Sequence, residues 1–388
     1  MNAQPILPGA TIGIFGGGQL GRMTAMAARA MGYRIQVLDP DPACPARFVV
    51  DGCIEANWDD SREAANLARG CDVVTLEIEQ ISTASLDAAA SFVPVRPGRS
   101  VLEVIQDRIE QKAWLRRNGF PLGDYRAVHT FEQLREAIAA LGGRCFCKSA
   151  TGGYDGRGQG KVGFRAGVDP EEELRGAWEA LGQGGGVVEK AVELEREISV
   201  LVARSPSGEV KVYPAAWNHH ENQILAWSVM PAPLSDAMAA EARKLAEEIA
   251  DTFQLEGILA VEMFVTTSGE LLVNELAPRP HNSYHASERA SVTSQFEQLV
   301  RAVCDLPLGD VEIVQPCAIA NLLGDVWIEA DGSPREPHFD RALAVPGVRL
   351  HLYEKHLPRK GRKMGHLSAV GATADEAVAS VLKAQELL

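Results

Sequence analysis

No apolar run in the 388-residue chain approaches the ~18–20 residues that a bilayer-spanning helix requires, so a membrane-embedded class is excluded. The first eight residues lack the basic-then-apolar layout of a signal peptide, and a cytoplasmic location is expected. Cysteine is sparse and unpatterned. Its seven copies are odd in number and show no Cys-x-x-Cys spacing, as expected of reduced, mostly buried thiols rather than a disulfide framework. Basic residues are in deficit, 38 against 52 acidic, and the formal charge of −14 makes the chain a poor non-specific partner for nucleic acid or an anionic membrane. Small anionic ligands feel only local charge and stay open. What is present is a globular composition, 46% hydrophobic and 23% charged. At ~100–200 residues per domain, the length implies two or three domains, each with its own core.

The chain opens with strand-like TIGIF at 11–15, a glycine loop and an Ala/Met-rich helix to about Met31. A strand at Arg34–Asp39, a helix near Ser61–Arg69 and a strand at Asp72–Leu76 follow, an alternation that implies βαβ units and a parallel sheet. Pro94 and Pro97 bracket a composition change. Val101–Asn118 reads as helical, and Thr130-Phe-Glu-Gln133 reads as a capping box opening a helix that stops at Gly142-Gly143. A short strand at Arg144–Ser149 leads into a glycine-rich loop, Ala150–Lys161. Strands are expected near Val187–Glu189 and Glu197–Val202, then a long alternating stretch from Val210 to Met230. Ser235 is set to cap a helix whose Met238, Ala242, Leu245, Ile249 and Phe253 form one core-facing stripe. Strands at Gly257–Val265 and Leu271–Leu276 flank a turn at Thr267–Gly269, and a final helix covers roughly Thr373–Leu388.

Gly16-Gly-Gly-Gln-Leu-Gly21 fits G-x-G-x-x-G after a strand, and Asp39 ends the next strand, as in a dinucleotide fingerprint. The physics is less specific, because amides at a helix N-terminus accept any phosphate. A dinucleotide, another phosphate and a purely structural turn all remain open from this motif.

Lys148 ends an apolar strand beside the glycine-rich loop, well placed to meet phosphates that the loop covers. No Gly-Lys-Ser/Thr closes that loop, so a P-loop is not expected. A hairpin turning at Ser268-Gly269 sets Glu262 opposite Glu275 and Phe264 opposite Val273. Facing carboxylates repel. A divalent cation is the economical resolution, with one protonated carboxyl or a register slip that separates the pair as the alternatives, and an all-oxygen ligand set favours Mg²⁺ over zinc. Asn274 adds an oxygen next door, although strict alternation points it to the opposite face. Downstream, Pro278 and Pro280 stiffen a loop that presents Arg279 and His281. Near the C-terminus Lys355, Arg359, Lys360, Arg362 and Lys363 gather in an acidic protein, a candidate anion-binding cluster or a solvated basic turn.

Four ordered motifs together, Gly16–Met23 (GGGQLGRM), Tyr154–Gln159 (YDGRGQ), Val273–Ser283 (VNELAPRPHNS) and Gly361–His366 (GRKMGH), resemble the 5-(carboxyamino)imidazole ribonucleotide synthases. These are ATP-dependent carbon–nitrogen ligases of de novo purine synthesis in the ATP-grasp superfamily. The resemblance spans nearly the whole chain. It implies an α/β (α+β) ATP-grasp fold: a Rossmann-like parallel-sheet domain at 1–100, an ATP-grasp region at 101–310 with a lid at about 120–192, and a C-terminal subdomain at 311–388. It also implies a homodimer. The implied reaction phosphorylates bicarbonate with ATP to carboxyphosphate, then carboxylates the amine of 5-aminoimidazole ribonucleotide.

Carried over by position, Arg108 and Lys148 would contact nucleotide phosphates, under the flap Gly153-Tyr154-Asp155-Gly156-Arg157-Gly158-Gln159. The hinge Glu189-Lys190-Ala191-Val192 would read adenine, Glu197 the ribose, and His220 would join the nucleotide site. Glu262, Asn274 and Glu275 match Mg²⁺ ligands. Tyr154, Asp155, Arg157, Arg279 and His281 match the catalytic region. Gly18, Gln19, Leu20 and Gly21 would hold the ribonucleotide 5′-phosphate, completed by Lys355 and Arg362, with Glu77 and Glu79 lining the cleft. One departure is visible: Ala216-Trp-Asn-His-His220 stands where the family usually reads Ala-Glu-Asn-x-His, so Trp217 replaces an acid and His219 competes for the part of His220. A formate-dependent formylating relative acting on glycinamide ribonucleotide, an NAD-dependent oxidoreductase and a catalytically silent nucleotide-binding module are the rival readings.

Overall fold

The computed structural model describes residues 4–152, 158–164, 167–182 and 184–388. Its first sheet is four-stranded and parallel, in the spatial order Gly52–Glu55, Arg34–Asp39, Thr11–Phe15, Val73–Leu76. Ile12, Ile14, Ile35 and Val37 are buried on one face and Phe15, Leu38 and Leu76 on the other, so helices cover both sides as the βαβ pattern requires. The helix Gln19–Ala30 starts directly from the glycine loop at the carboxyl end of the first strand.

A second four-stranded sheet has the order Tyr125–Val128, Gly186–Lys190, Cys145–Ser149, Gln159–Val162. The last of these strands lies inside the stretch read as a glycine loop. Gln159 and Gly160 pair with Lys148 and Cys147, and Gly160 is required there because a Cβ would come within 2.9 Å of the Ala177 backbone. Thr130 caps its helix by accepting from the Gln133 amide, and Gln133 returns the bond to His129, one residue earlier than a strict capping box. The helical stretch Val101–Asn118 is two helices, Arg99–Ile105 and Arg108–Arg117. Asp107 accepts from the amides of Ile109 and Glu110, and this N-cap breaks the run.

The third sheet has nine strands and is the backbone of the molecule. The strand Leu194–Arg204 lies between Gly257–Thr266 and Ala216–Glu221, and Ile224–Met230 then pairs with Cys317–Leu323. The strands after residue 310 therefore extend the same sheet, with Lys363–Val370 and Val348–Leu352 at the far edge. The alternating stretch 210–230 contains three strands, Val210–Val212, Ala216–Glu221 and Ile224–Met230. Ser235 caps the helix Asp236–Phe253 as expected, and Ala242, Leu245 and Ile249 pack on the strands Leu194–Arg204 and Gly257–Thr266.

Glu262 pairs with Glu275 in the hairpin, but the register then slips, so Met263 faces Val273 and Phe264 faces Leu272, not Val273. Asn274 is the extra residue of a β-bulge. The slip turns Leu271 and Val273 into the core and frees Asn274 from the opposite face, where strict alternation had put it.

Glycine packing gives a contrast that stability measurements can check. Gly21 sits where a Cβ would come within 2.5 Å of the Gly16 carbonyl oxygen, whereas a Cβ at Gly176, inside the helix Pro170–Leu181, meets nothing within 4 Å. Gly21→Ala is expected to lose about 1–3 kcal/mol in urea denaturation. Gly176→Ala should gain about 0.5–1 kcal/mol, since alanine is the better helix former in open space.

Candidate functional site

A cavity of about 1170 Å³ lies between the lid sheet, the large sheet and the glycine loop. On the lid side, alternation along Cys145–Ser149 buries Cys145 and Cys147 and turns Phe146 and Lys148 into the cavity. On the neighbouring strand, Glu189 reaches between two ammonium groups, Lys148 at 2.7 Å and Lys112 at 2.6 Å. Burial pushes the Glu189 carboxyl up, but the two lysines overcome it and hold it at about 2. Burial pulls Lys112 down from its ordinary value; it acts the same way on Lys148, but the charges of Glu189 and Glu275 and the hydrogen bond to Glu189 together overcome it and raise that ammonium. Lys112 was not singled out in the sequence, although it stands four residues after Arg108 on one helix face, a signal for a shared site.

Arg108 is the first residue of its helix because Asp107 caps it, and it donates to the Ser149 carbonyl at 3.0 Å and to Glu275 at 3.3 Å. Glu262 meets His281 Nε2 at 3.2 Å and the Asn274 amide at 3.3 Å, while Asn274 Oδ1 accepts from Lys148 at 3.1 Å. The facing acids are thus each given a basic partner by the protein, which eases the repulsion that made a divalent cation the economical reading. Burial acts to raise the Glu262 carboxyl, yet the hydrogen bond and charge of His281, aided by His220 and Lys148, bring it to about 2.

His281 Nδ1 lies 2.7 Å from Ser283 Oγ, which itself lies 2.7 Å from Ser199 Oγ in the floor of the sheet. Arg279, 7% exposed, pairs with Glu79 at 2.8 Å. Glu197 and His220 face each other across adjacent strands at 2.7 Å. The departure at Trp217 falls on the other face: its ring meets Trp227 edge-on at 4.9 Å, and His219 stacks on Trp227 at 5.0 Å. His220 alone of the two histidines lines the cavity, and an acid at 217 would lie outside it.

The glycine loop differs from its expected use. Gly18 and Gly21 donate their amides to Glu77 at 2.5 and 2.8 Å, and Gly17 donates to Asp39 at 2.7 Å. The anion that these amides hold is the protein's own carboxylate, in the stretch Gly18–Gly21 near which the ribonucleotide 5′-phosphate is expected. Burial pushes the Glu77 carboxyl up to about 7 against the pull of those amides. Asp39, 6% exposed, has both oxygens engaged by the amides of Gly17 and Asp41, which removes the ribose contact of the dinucleotide reading. Lys355 donates to Gln19 at 2.9 Å, and Gln19 donates to Asn282 at 2.8 Å.

Gly18, Gln19, Leu20, Glu77, Arg108 and Lys148 line the one cavity. So do Gln159, the crossover Glu189–Val192, Glu197, His220, Glu262, Asn274 and Glu275. Arg279, His281, Lys355 and Arg362 complete the predicted set there, whereas Gly21, Glu79 and Gly158 stand behind the wall. Gly153, Tyr154, Asp155, Gly156 and Arg157 lie outside the described residues. Sequence reasoning did not single out Phe264, and it named Lys363 only as a member of the C-terminal basic cluster; both line the cavity. The first shares the face of Glu262 two residues on, and the second belongs to the basic tail.

Comparison with known proteins follows this geometry. The ribonucleotide synthetase preATP-grasp domain family matches residues 9–106, the ATP-grasp domain family 113–296, and the phosphoribosylaminoimidazole carboxylase C-terminal domain family 317–380. The N5-carboxyaminoimidazole ribonucleotide synthase of Brucella melitensis is 40% identical over 370 residues, covering 95% of this chain and 99% of its own. The crystal structure of an N5-carboxyaminoimidazole ribonucleotide synthetase in complex with ADP superposes with a TM-score of 0.90 at 40% identity, covering 99% of this chain and 98% of its own. The Aspergillus clavatus N5-carboxyaminoimidazole synthase, solved with ADP and 5-aminoimidazole ribonucleotide, gives a TM-score of 0.86 at 31% identity over 97% of this chain and 98% of its own.

The buried Lys112–Glu189–Lys148 triad makes a pH-resolved prediction. Glu189→Gln leaves two buried ammonium groups without their anion and is expected to cost about 3–5 kcal/mol at pH 7. A carboxyl held at about 2 stabilises the fold above its ordinary value of 4.5, and that share is lost as pH falls from there through about 2. Urea denaturation at pH 7 and near pH 3 should therefore show the wild type and the variant converging in acid.

Proposed function

The chain belongs to the N5-carboxyaminoimidazole ribonucleotide synthases of the ATP-grasp superfamily, and on that membership we propose that it uses ATP to carboxylate 5-aminoimidazole ribonucleotide with bicarbonate. The observation that carries the reading is the continuous cavity, which joins three phosphate-directed cations, Lys148 of the lid with Arg108 and Lys112 of the preceding helix, to Arg279, His281 and Lys355 beside the glycine loop. Two nucleotides and a bicarbonate fit such a division. The formate-using alternative is not favoured, since the relatives across the full length are carboxyaminoimidazole ribonucleotide synthases.

Adenine is read at the crossover Glu189–Val192, where the amides of Lys190 and Ala191 already bond to Asp124 and Arg144 carbonyls, so the reading falls on carbonyls and on Val192. Phe264 supplies an apolar wall and Glu197 faces the ribose. Arg108, Lys112 and Lys148 meet the phosphates, and in doing so exchange protein carboxylates for phosphate oxygens. Glu262, Glu275 and Asn274 Oδ1 form an all-oxygen donor set on one hairpin, the chemistry that fits Mg²⁺, and these residues would hold it. When bound, the ion supplies neutralisation of phosphate charge.

A bicarbonate oxygen attacks the γ-phosphorus and ADP leaves. The amine of the ribonucleotide then attacks the carbonyl carbon of carboxyphosphate, phosphate leaves, and the nitrogen gives up a proton. Arg279, held by Glu79, orients bicarbonate through its planar fork, with His281 beside it. Lys355 and Arg362 meet the ribonucleotide 5′-phosphate near Gln19 and Leu20. The division at 1–100, 101–310 and 311–388, a cytoplasmic location and a homodimer complete the proposal.

ADP release measured with bicarbonate and with the ribonucleotide omitted in turn tests the reaction, and turnover independent of both overturns it. Glu275→Gln should lower bicarbonate-dependent ADP formation by at least about a hundredfold without unfolding the chain. Near-normal turnover in that variant would sink the metal assignment. Arg362→Ala should raise the half-saturation concentration for the ribonucleotide, and a change confined to ATP would place the residue in the other pocket.

A further inference from the structure

On the far edge of the large sheet, behind the wall of the cavity, stands a cluster that the proposed reaction does not use. His351 on the strand Val348–Leu352 and His366 on the strand Lys363–Val370 are direct register partners, and Glu288 comes from the short helix Ser287–Ala290. One ligand-capable atom from each of the three lies within 4.8 Å of the other two, the only such group of His, Cys, Asp or Glu among the described residues. His351 Nδ1 is 3.3 Å from Glu288 Oε2, and both side chains are 30% exposed, which leaves an entry path from solvent.

His366 supplies the independent sign. It is fully buried, its Nδ1 lies 2.7 Å from the Tyr353 hydroxyl, and its Nε2 has no hydrogen-bond partner. A buried polar atom left unmatched is rare and costly. A histidine that ligates through one nitrogen is held by donating its other ring N–H, and the Tyr353 hydroxyl is an acceptor in reach of Nδ1. An ordinary rim ion pair accounts for Glu288 and His351 but not for the unmatched nitrogen of the buried His366 grouped with them.

From this geometry we propose that Glu288, His351 and His366 form a binding site for a borderline divalent transition metal, Zn²⁺ foremost, with the fourth position open to water. Two imidazoles and one carboxylate suit Zn²⁺ and disfavour Mg²⁺, which prefers an all-oxygen set. The ion would tie the helix Ser287–Ala290 to the two edge strands, one of which carries Lys363 into the cavity. His285, stacked on His366 with ring centroids 4.6 Å apart and bonded to Asn282 at 3.0 Å, links the site to the cavity wall.

The test is calorimetric titration of Zn²⁺ into the full, metal-stripped chain in excess Mg²⁺, together with His351→Gln and Glu288→Gln. Both substitutions sit at the rim and spare the buried His366. The wild type should bind one Zn²⁺ that Mg²⁺ does not displace, and Co²⁺ in its place should give a visible d–d band. His351→Gln should lose that event, and Glu288→Gln should weaken it by about tenfold or more. Circular dichroism confirms that both variants fold. No stoichiometric Zn²⁺ in the wild type, or an unchanged isotherm in folded His351→Gln, overturns the proposal. The readout is metal binding alone, so it stands or falls apart from the carboxylation reaction.

Discussion

One inserted residue organises the floor of the cavity. Between the Glu262–Glu275 pair and the Met263–Val273 pair the hairpin carries Asn274 with no partner of its own. Side chains of a regular strand alternate, so an unbulged pairing would have pointed Asn274 into the core and Val273 into the cavity. The bulge reverses both. It lets Asn274 bond to Glu262 and Lys148 while Glu275 reaches Arg108, and it returns Leu271 and Val273 to the apolar layer under the sheet. Oxygen donors from two strands and cations from the lid and from the Arg108 helix therefore meet at one point. The hydrophobic core sets the register, and the register places the chemistry.

The charges around that point are balanced before any ligand enters. Lys112 and Lys148 share Glu189, Arg108 leans on Glu275, Arg279 on Glu79, His281 on Glu262, and His220 on Glu197. Buried charges without partners would cost several kcal/mol each, so a site with this many cations cannot stand open unless the protein neutralises it. Entry of a polyphosphate is in this view an exchange of partners, in which protein carboxylates give up cations to phosphate oxygens. On the proposed reading that exchange releases Glu275 from Arg108, while Glu262 keeps His281 and Asn274 as its partners.

Much of this was legible in the chain. The alternation of strands and helices, the caps at Thr130 and Ser235, and the facing of Glu262 and Glu275 follow from local rules and are present in the fold. What escaped did so for identifiable reasons. A bulge breaks the period that strand reading relies on, and its trace is only the doubled pattern Leu-Leu-Val then Asn-Glu at 271–275. The break at Asp107 is written as Asp-x-x-Glu110, a cap signal hidden inside a longer helical pattern. Lys112 and the exchange of Trp217 for an acid needed the neighbouring strands before their faces could be assigned. The first turns to Glu189, the second away to Trp227.

The glycine loop shows how a motif can be right about geometry and silent about its occupant. Closely spaced glycines before a helix do gather amides toward one point, and an anion does sit there. It is the carboxylate of Glu77, with that of Asp39 beside it. A Cβ at Gly18 would come within 2.5 Å of a Glu77 oxygen, and one at Gly17 within 2.4 Å of the Cys44 sulfur, so the glycines are needed for the chain's own packing. Two anions cannot share the same few donors, and a carboxyl already pushed up to about 7 by burial gains nothing from a second negative charge beside it. On the proposed reading, a substrate phosphate near this helix draws on side-chain charge. Lys355, Arg359, Lys360 and Arg362 line the cavity from the loop between the last two strands and Lys363 from the start of the second, with Lys355 already bonded to Gln19 at the head of that helix. In an acidic chain, a basic cluster delivered from more than three hundred residues away is the counterpart of a glycine loop whose own amides are taken.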